Sequence, residues 1–252
     1  MVRYFRGLSC MNSPLFISKV VIDWSKINDY SYLRNIPAIS SIDELEFHSP
    51  ITLLAGENGM GKSTLLEAMA VAAGFNPEGG TKNYAFSTYD SHSDLCDAMR
   101  LIKSYRRTQW GYFLRAESFY NVATMENEYS KVGGVPEHFH EMSHGESFLR
   151  IADSHFKDNG LYFLDEPEAA LSPQRQLALL RKIYLSVKGG SQFFIVTHSP
   201  ILLGLPDSEI LVFDGEGVHV SSYEETDSYQ VTSLFINRRE YMLEQLLGDV
   251  KE

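Results

Sequence analysis

Two groups of residues in this 252-residue chain have the types and spacing for phosphate chemistry. The run Gly56-Glu57-Asn58-Gly59-Met60-Gly61-Lys62-Ser63 satisfies G-x-x-x-x-G-K-[ST] at every fixed position. Glycines let the backbone pass close to a phosphate and turn its N–H groups inward. The start of the helix that follows, from Lys62 through Thr64, adds partial positive charge. In such a loop Lys62 reaches the β- and γ-phosphates of a nucleotide, and Ser63 ligates Mg²⁺. The second group closes the apolar run Leu161-Tyr162-Phe163-Leu164 with Asp165-Glu166-Pro167. Neighbouring residues at a strand end point in different directions. Asp165 can therefore hold the Mg²⁺ shell while Glu166 faces a water as general base, a role worth ~10²–10⁴-fold in rate. Read alone, Asp-Glu-Pro also suits a helix cap or a turn, and the phosphate loop upstream tips the balance.

These groups need strands to carry them and helices to receive them. Leu15 to Trp24 alternates and is β-branched, which predicts a strand. A polar stretch with a proline follows, through Ile36-Pro37. Ile51 to Ala55 reads as a buried parallel strand, and a helical pattern runs from Lys62 to about Gly74. Further helices are expected over Ser93–Tyr105, Glu146–His155, Pro173 to Gly189-Gly190, and Arg238–Leu247. Strands are expected at Gly111–Arg115, Leu161–Leu164 and Phe193–Val196. Ile210–Phe213 and Val218–Ser221 flank Asp214-Gly215-Glu216-Gly217, a hairpin signal. Strands alternating with helices predict an α/β domain with a mostly parallel central sheet flanked by helices. The N-terminal part is expected to be antiparallel, and residues about 75–135 to form a lateral irregular or helical subdomain within one domain spanning 1–252.

Lys+Arg is 22 and Asp+Glu is 33, a formal charge of −11. An acidic chain is not built for non-specific binding to nucleic acid or anionic lipid, although a local basic patch such as Lys103, Arg106 and Arg107, or Arg238-Arg239, leaves a DNA groove open. Such basic groups also mark ordinary solvated helix faces. Cys10 and Cys96 stand in no metal-ligand spacing and read as reduced thiols. No apolar stretch reaches the ~18–20 residues of a membrane helix, and the start lacks a long apolar leader. The expectation is a cytoplasmic protein without membrane insertion.

The order of motifs resembles that of ATP-binding-cassette (ABC) ATPases, within them the RecF/SMC-like branch of bacterial ATPases. Gly56–Ser63 is similar to a Walker A motif and Leu161–Glu166 to a Walker B motif with its catalytic glutamate. Ala170-Leu171-Ser172 is similar to a D-loop, and Thr197-His198-Ser199 to the switch-histidine segment. Met142-Ser143-His144-Gly145-Glu146 stands where that family carries Leu-Ser-Gly-Gly-Gln, with His and Glu at the third and fifth positions. The resemblance implies a P-loop fold of ABC type, with ATP and Mg²⁺ as cofactors. It implies two copies closing head to tail around two ATP molecules. Lys62, Glu166 and His198 would act catalytically from one copy, while Ser143 and Gly145 of the other contact the γ-phosphate. Ser63 and Asp165 would hold the metal, with Glu117 as substitute for the family's Q-loop glutamine. Arg115 is an alternative functional residue there, or a surface cation. Tyr32, with Tyr30 nearby, lies about where the family stacks adenine on an aromatic ring.

A rival pattern overlaps the signature. His140-Glu141-Met142-Ser143-His144 fits the H-E-x-x-H of zinc proteases, with His138 close by. Pro136 before it and Gly145 after it argue against the helix that a zinc site needs, and Ser143 and Gly145 suit a loop entering a helix. Three classes of function stay open. One is an ATP-driven dimerisation switch in DNA repair or phage defence, with DNA or an effector protein as partner. Another is the ATPase subunit of a membrane transporter. The third is a non-hydrolysing module that uses ATP only to dimerise.

Overall fold

The computed structural model describes residues 15–81, 94–115, 144–169 and 171–248. Two sheets form the framework. The smaller one joins β1 (Ile17–Ile22), β2 (Glu44–Glu46) and β4 (Met99–Lys103) in the order β2-β1-β4, both pairings antiparallel. The larger one joins β3 (Ile51–Gly56), β5 (Trp110–Arg115), β6 (Gly160–Asp165), β7 (Gln192–Val196), β8 (Glu209–Phe213) and β9 (Val218–Ser221). Its order is β5-β6-β7-β3-β8-β9, parallel throughout except for the closing β8–β9 hairpin.

The central strands are apolar on both sides because both faces are covered. Leu54, Phe163, Phe194 and Val196 pack with β1 and with helix α2 (Lys62–Ala72) in one core. Leu53, Tyr162, Leu164, Phe193 and Ile195 point the other way, onto helices α4 (His144–His155) and α5 (Pro173–Lys188). Pro173 opens α5 after Ser172, and Gly189 closes it. This is the mostly parallel, doubly covered α/β sheet with an antiparallel N-terminal part that the strand and helix pattern predicts.

One buried side chain joins the two sheets. Gln192 accepts from the Ile17 backbone N–H at 2.9 Å and donates to the Ile17 carbonyl at 2.8 Å. Its amide thus takes the place of a strand residue opposite β1, and it is 1% exposed.

Several elements differ from expectation. The helix expected over Ser93–Tyr105 is, in its described part, a single turn, α3 (Leu95–Ala98), followed by strand β4. Pairing of Met99–Lys103 with β1 overrides the local helical pattern, since an available edge pairs the ladder groups that face it. The polar stretch after β1 contains the short helix α1 (Pro37–Ser40) and then β2. The final helix, α8 (Arg239–Leu247), is preceded by an unexpected one, α7 (Asp227–Asn237); α6 (Pro200–Leu203) follows β7. Within the 75–135 stretch, β4 and β5 belong to the two sheets, and residues 82–93 and 116–135 lie outside the described residues.

Candidate active site

The carboxyl ends of β3, β6 and β7 lie side by side, so the loops leaving them converge at one edge of the sheet, where open α/β sheets bind ligands. From β3 the chain enters the glycine-rich loop and then α2, with Gly61 as the helix N-cap. Gly56 is the residue that lets this loop start where it does. It pairs with Phe213 of β8 and has φ +123°, and a Cβ there would sit 2.1 Å from the Phe213 carbonyl oxygen. Gly59 at the tip has φ +82° and open space around its missing Cβ. Glu57, Asn58 and Gly59 are exposed, while Met60 leans on the core and Thr64 is half-buried in the first turn of α2.

Lys62 is buried, and its Nζ donates to the carbonyls of Gly56 at 2.7 Å and Glu57 at 2.5 Å. Burial pushes its pKa below the usual lysine value, while the carboxylates of Glu166, Asp165 and Glu57 pull it back up. A phosphate group would add to that second effect. Ser63 Oγ donates to Asp165 Oδ1 at 2.8 Å, across 102 residues of sequence. A hydroxyl and a carboxylate oxygen are the hard donors suited to Mg²⁺, which takes few protein ligands and completes its shell with water and phosphate. The residues present fit that ion.

Glu166 follows at the end of β6. Its backbone is left-handed, φ 46°, and its N–H donates to the Val196 carbonyl at 3.0 Å. A non-glycine residue in this region costs about 1–3 kcal/mol, a strain that collects at functional sites. The hydrogen bond to β7 holds the turn and brings Glu166 Oε1 to 3.8 Å from His198 Nε2. That Nε2 atom is shielded and has no hydrogen-bond partner among the described residues. Lys62, Ser63, Asp165, Glu166 and His198, read from three separate motifs, are therefore neighbours.

His198 lines two cavities. A polar cleft of about 280 Å³ runs beside Gly56 and Glu57 to Asp214, His219 and Thr226. On the other side an open groove of about 740 Å³ is bordered by Glu168, Gln176, Tyr223, Tyr229 and Ile236.

Other expected site residues fall apart from this group or beyond view. Tyr32 is 57% exposed on a 3₁₀ turn, Tyr32–Asn35. That turn leads into Ile36 and Ile39, the side chains that lie against Gly61. Tyr30 is exposed as well. Glu117 and Ser143 lie outside the described residues, as do His138, His140 and Glu141 of the rival zinc pattern. Gly145 is the second residue of α4. Arg115 is tied to Glu67 of α2 at 3.2 Å and to the Pro77 carbonyl at 3.0 Å, so it is no loose surface cation. Arg106 is likewise engaged, with Asn159, the Gly190 carbonyl and the Phe16 ring.

Sequence reading missed the residues behind His198. Glu168 Oε1 accepts from Thr197 Oγ1 at 2.7 Å and from the N–H groups of His198 at 2.6 Å and Ser199 at 3.1 Å. Ser199 Oγ donates to Gln176 Oε1 at 2.6 Å. The only signal for Glu168 was its place two residues beyond Glu166.

Two family models match the chain. An "AAA domain" model matches residues 32–121, and a model described as "AAA domain, putative AbiEii toxin, Type IV TA system" matches residues 114–204. No curated protein matches. Among solved structures, the "SMC head domain from Thermotoga maritima" is similar at 12% identity over 82% of this chain and 99% of that one, with TM-score 0.47. "An inward-facing conformation of a putative metal-chelate type ABC transporter" is similar at 18% identity, over 77% of this chain and 80% of that one, TM-score 0.41. CbiO1 from Clostridium perfringens, described as part of the ABC transporter complex cbiONQ, is similar at 13% identity over 79% of this chain and 88% of that one, TM-score 0.42.

Proposed function

We propose that this chain, an ABC-like P-loop ATPase, hydrolyses ATP to ADP and phosphate and uses the cycle to close and open a head-to-tail dimer. The observation that carries the proposal is the Ser63–Asp165 contact at 2.8 Å, with Glu166 and His198 next to it and Lys62 inside their field. Loop amides of residues 56–63 and Lys62 bind the phosphate tail. Lys62 exchanges its two carbonyl acceptors for phosphate oxygens of higher charge. Ser63 and Asp165 hold Mg²⁺, which when bound neutralises charge developing on the phosphates. Glu166 takes the proton of the attacking water as the bond from the γ-phosphorus to the bridging oxygen breaks. His198 donates from Nε2 to the γ-phosphate, giving that orphaned atom a partner. Ser143 and Gly145 of a second copy complete the phosphate contacts, Glu117 assists at the metal or water, and Tyr32 stacks on adenine.

The process served is a separate question. The second model's description names a toxin of a type IV TA system and no DNA, which favours a role in such a system over DNA repair. A transporter role would require a membrane partner, since no described helix is long and apolar enough to cross a bilayer. A non-hydrolysing module has no use for Glu166 and His198 together.

The test is ATP turnover and sedimentation of the parent, Lys62→Ala and Glu166→Gln. Glu166→Gln is expected to lose about 10²–10⁴-fold in turnover and to accumulate as an ATP-bound dimer. Lys62→Ala is expected to lose nucleotide binding. Turnover of Glu166→Gln at the parent's rate removes Glu166 as the base, and a Lys62→Ala variant that binds ATP like the parent removes the loop as the nucleotide site.

A further inference from the structure

We infer that Glu168 is a positioning residue for His198, acting through the backbone of the switch segment without touching the nucleotide. The inference rests on the role given to His198 under the proposed function. Among the described residues, nothing hydrogen-bonds His198 Nε2, and its nearest charged neighbour is Glu166 Oε1 at 3.8 Å. The ring is therefore aimed by the chain that carries it. Glu168 grips that chain. One oxygen of Glu168 collects three donors in a row: the Thr197 hydroxyl, the His198 amide and the Ser199 amide. Hydrogen bonds to an ionised acceptor are roughly twice as strong as neutral ones. The 2.6 Å and 2.7 Å contacts are in that short range.

The other oxygen, Oε2, is shielded from water and has no hydrogen-bond partner among the described residues. A carboxylate that merely needed satisfaction would share its bonds between both oxygens; here they are concentrated on the switch segment. Ser199 supplies a second hold. Its Oγ caps α6 by accepting from Ile201 and Leu202, and donates to Gln176, whose Nε2 donates to the Leu171 carbonyl. Residues 197–199 are thus fixed from the loop after β6 and from the start of α5. Thr197 and Ser199 are buried while the histidine between them is half-exposed and faces both cavities.

A misplacement of a reacting group by about 1 Å can cost about 100-fold in rate. Glu168→Ala is expected to lower kcat about that much with the half-saturating ATP concentration near the parent's, because the phosphate loop is untouched. Amide hydrogen exchange at His198 should speed up at least about tenfold, as that amide loses its acceptor, while the Ser199 amide keeps Thr197 Oγ1 at 3.0 Å. Glu168→Gln retains an acceptor oxygen on the same stem and should recover most of the turnover and the protection. A fold-stabilising role alone would lower the melting temperature without this split between kcat and half-saturation. If Glu168→Ala does not fold, Glu168→Asp, one methylene short, takes its place in both measurements. Parent-like kcat in the Ala or Asp variant, or unchanged exchange at His198, overturns the inference. A parent that binds but never hydrolyses ATP overturns the proposed hydrolysis, and exchange at His198 still reads the grip of Glu168 separately.

Discussion

Gly56→Ala and Gly59→Ala change the same loop by one methyl group each, yet the structure assigns them opposite consequences. At Gly56 the added Cβ lies 2.1 Å from the carbonyl oxygen of Phe213, on a backbone of φ +123°. Ordinary contact begins near ~3.5 Å, so the β3–β8 ladder must open by about 1.4 Å at its carboxyl end. Strained backbone costs about 1–3 kcal/mol and overpacking about 1–3 kcal/mol more, together about 4 kcal/mol. For a chain of this size 1 kcal/mol moves Tm by about 2–4 °C, so Gly56→Ala should melt about 8–16 °C below the parent. At Gly59 the methyl meets nothing within 4 Å, and only the left-handed backbone, about 1–2 kcal/mol, opposes it. Its Tm without nucleotide should fall by only about 2–8 °C. The ligand response reverses the ranking. A nucleotide present at 100 times its Kd adds about 2.7 kcal/mol to the parent, and Gly59→Ala should lose most of that gain, since the open space at its Cβ is where phosphate must come. Thermal melts of the three proteins with and without ATP decide it. Equal melting of the two variants without nucleotide refutes the packing argument, and a full ATP-induced rise in Gly59→Ala refutes the placement of the phosphate.

Tyr162→Phe should cost about 1–3 kcal/mol, or roughly 5 °C in Tm, with nucleotide binding unchanged. The lost hydroxyl serves the Lys157 amide and the carbonyls of His155 and Lys157 at 2.7–3.0 Å, and the ring is fully buried. Cys96 gives a pH signature. Burial, aided by the Asp97 charge, pushes its thiol from the ordinary 9.0 up to about 11. The unfolded chain ionises first, so this contribution to stability is whole below about pH 9 and is lost as pH rises toward 11. Melts of the parent and Cys96→Ala between pH 8 and 10.5 should converge as pH rises, and parallel curves would contradict it.

The residues that meet at the sheet edge were legible in the sequence because each sits in a short motif whose geometry is local. Glycine spacing, a strand ending in two carboxylates, and a histidine after an apolar run each carry their own backbone instructions. The central strands were legible for a related reason: burial on both faces leaves unbroken apolar runs such as Ile51–Ala55. What could not be read was everything decided by a distant partner. Met99–Lys103 has spacing compatible with a helix, and becomes a strand only because β1 offers an edge. Glu168 looks like an ordinary polar residue until Thr197, His198 and Ser199 are folded against it, about 30 positions later. The pairing of Ile17 with Gln192 spans 175 positions.

That last pairing bears on how the molecule comes apart. The small sheet and the large one could in principle loosen separately, each being hydrogen-bonded within itself. Sliding one past the other would strand the donor and acceptor of Ile17, together with an amide side chain, where water does not reach. Partial opening at this seam thus has no cheap intermediate. The two sheets should therefore melt in a single cooperative step.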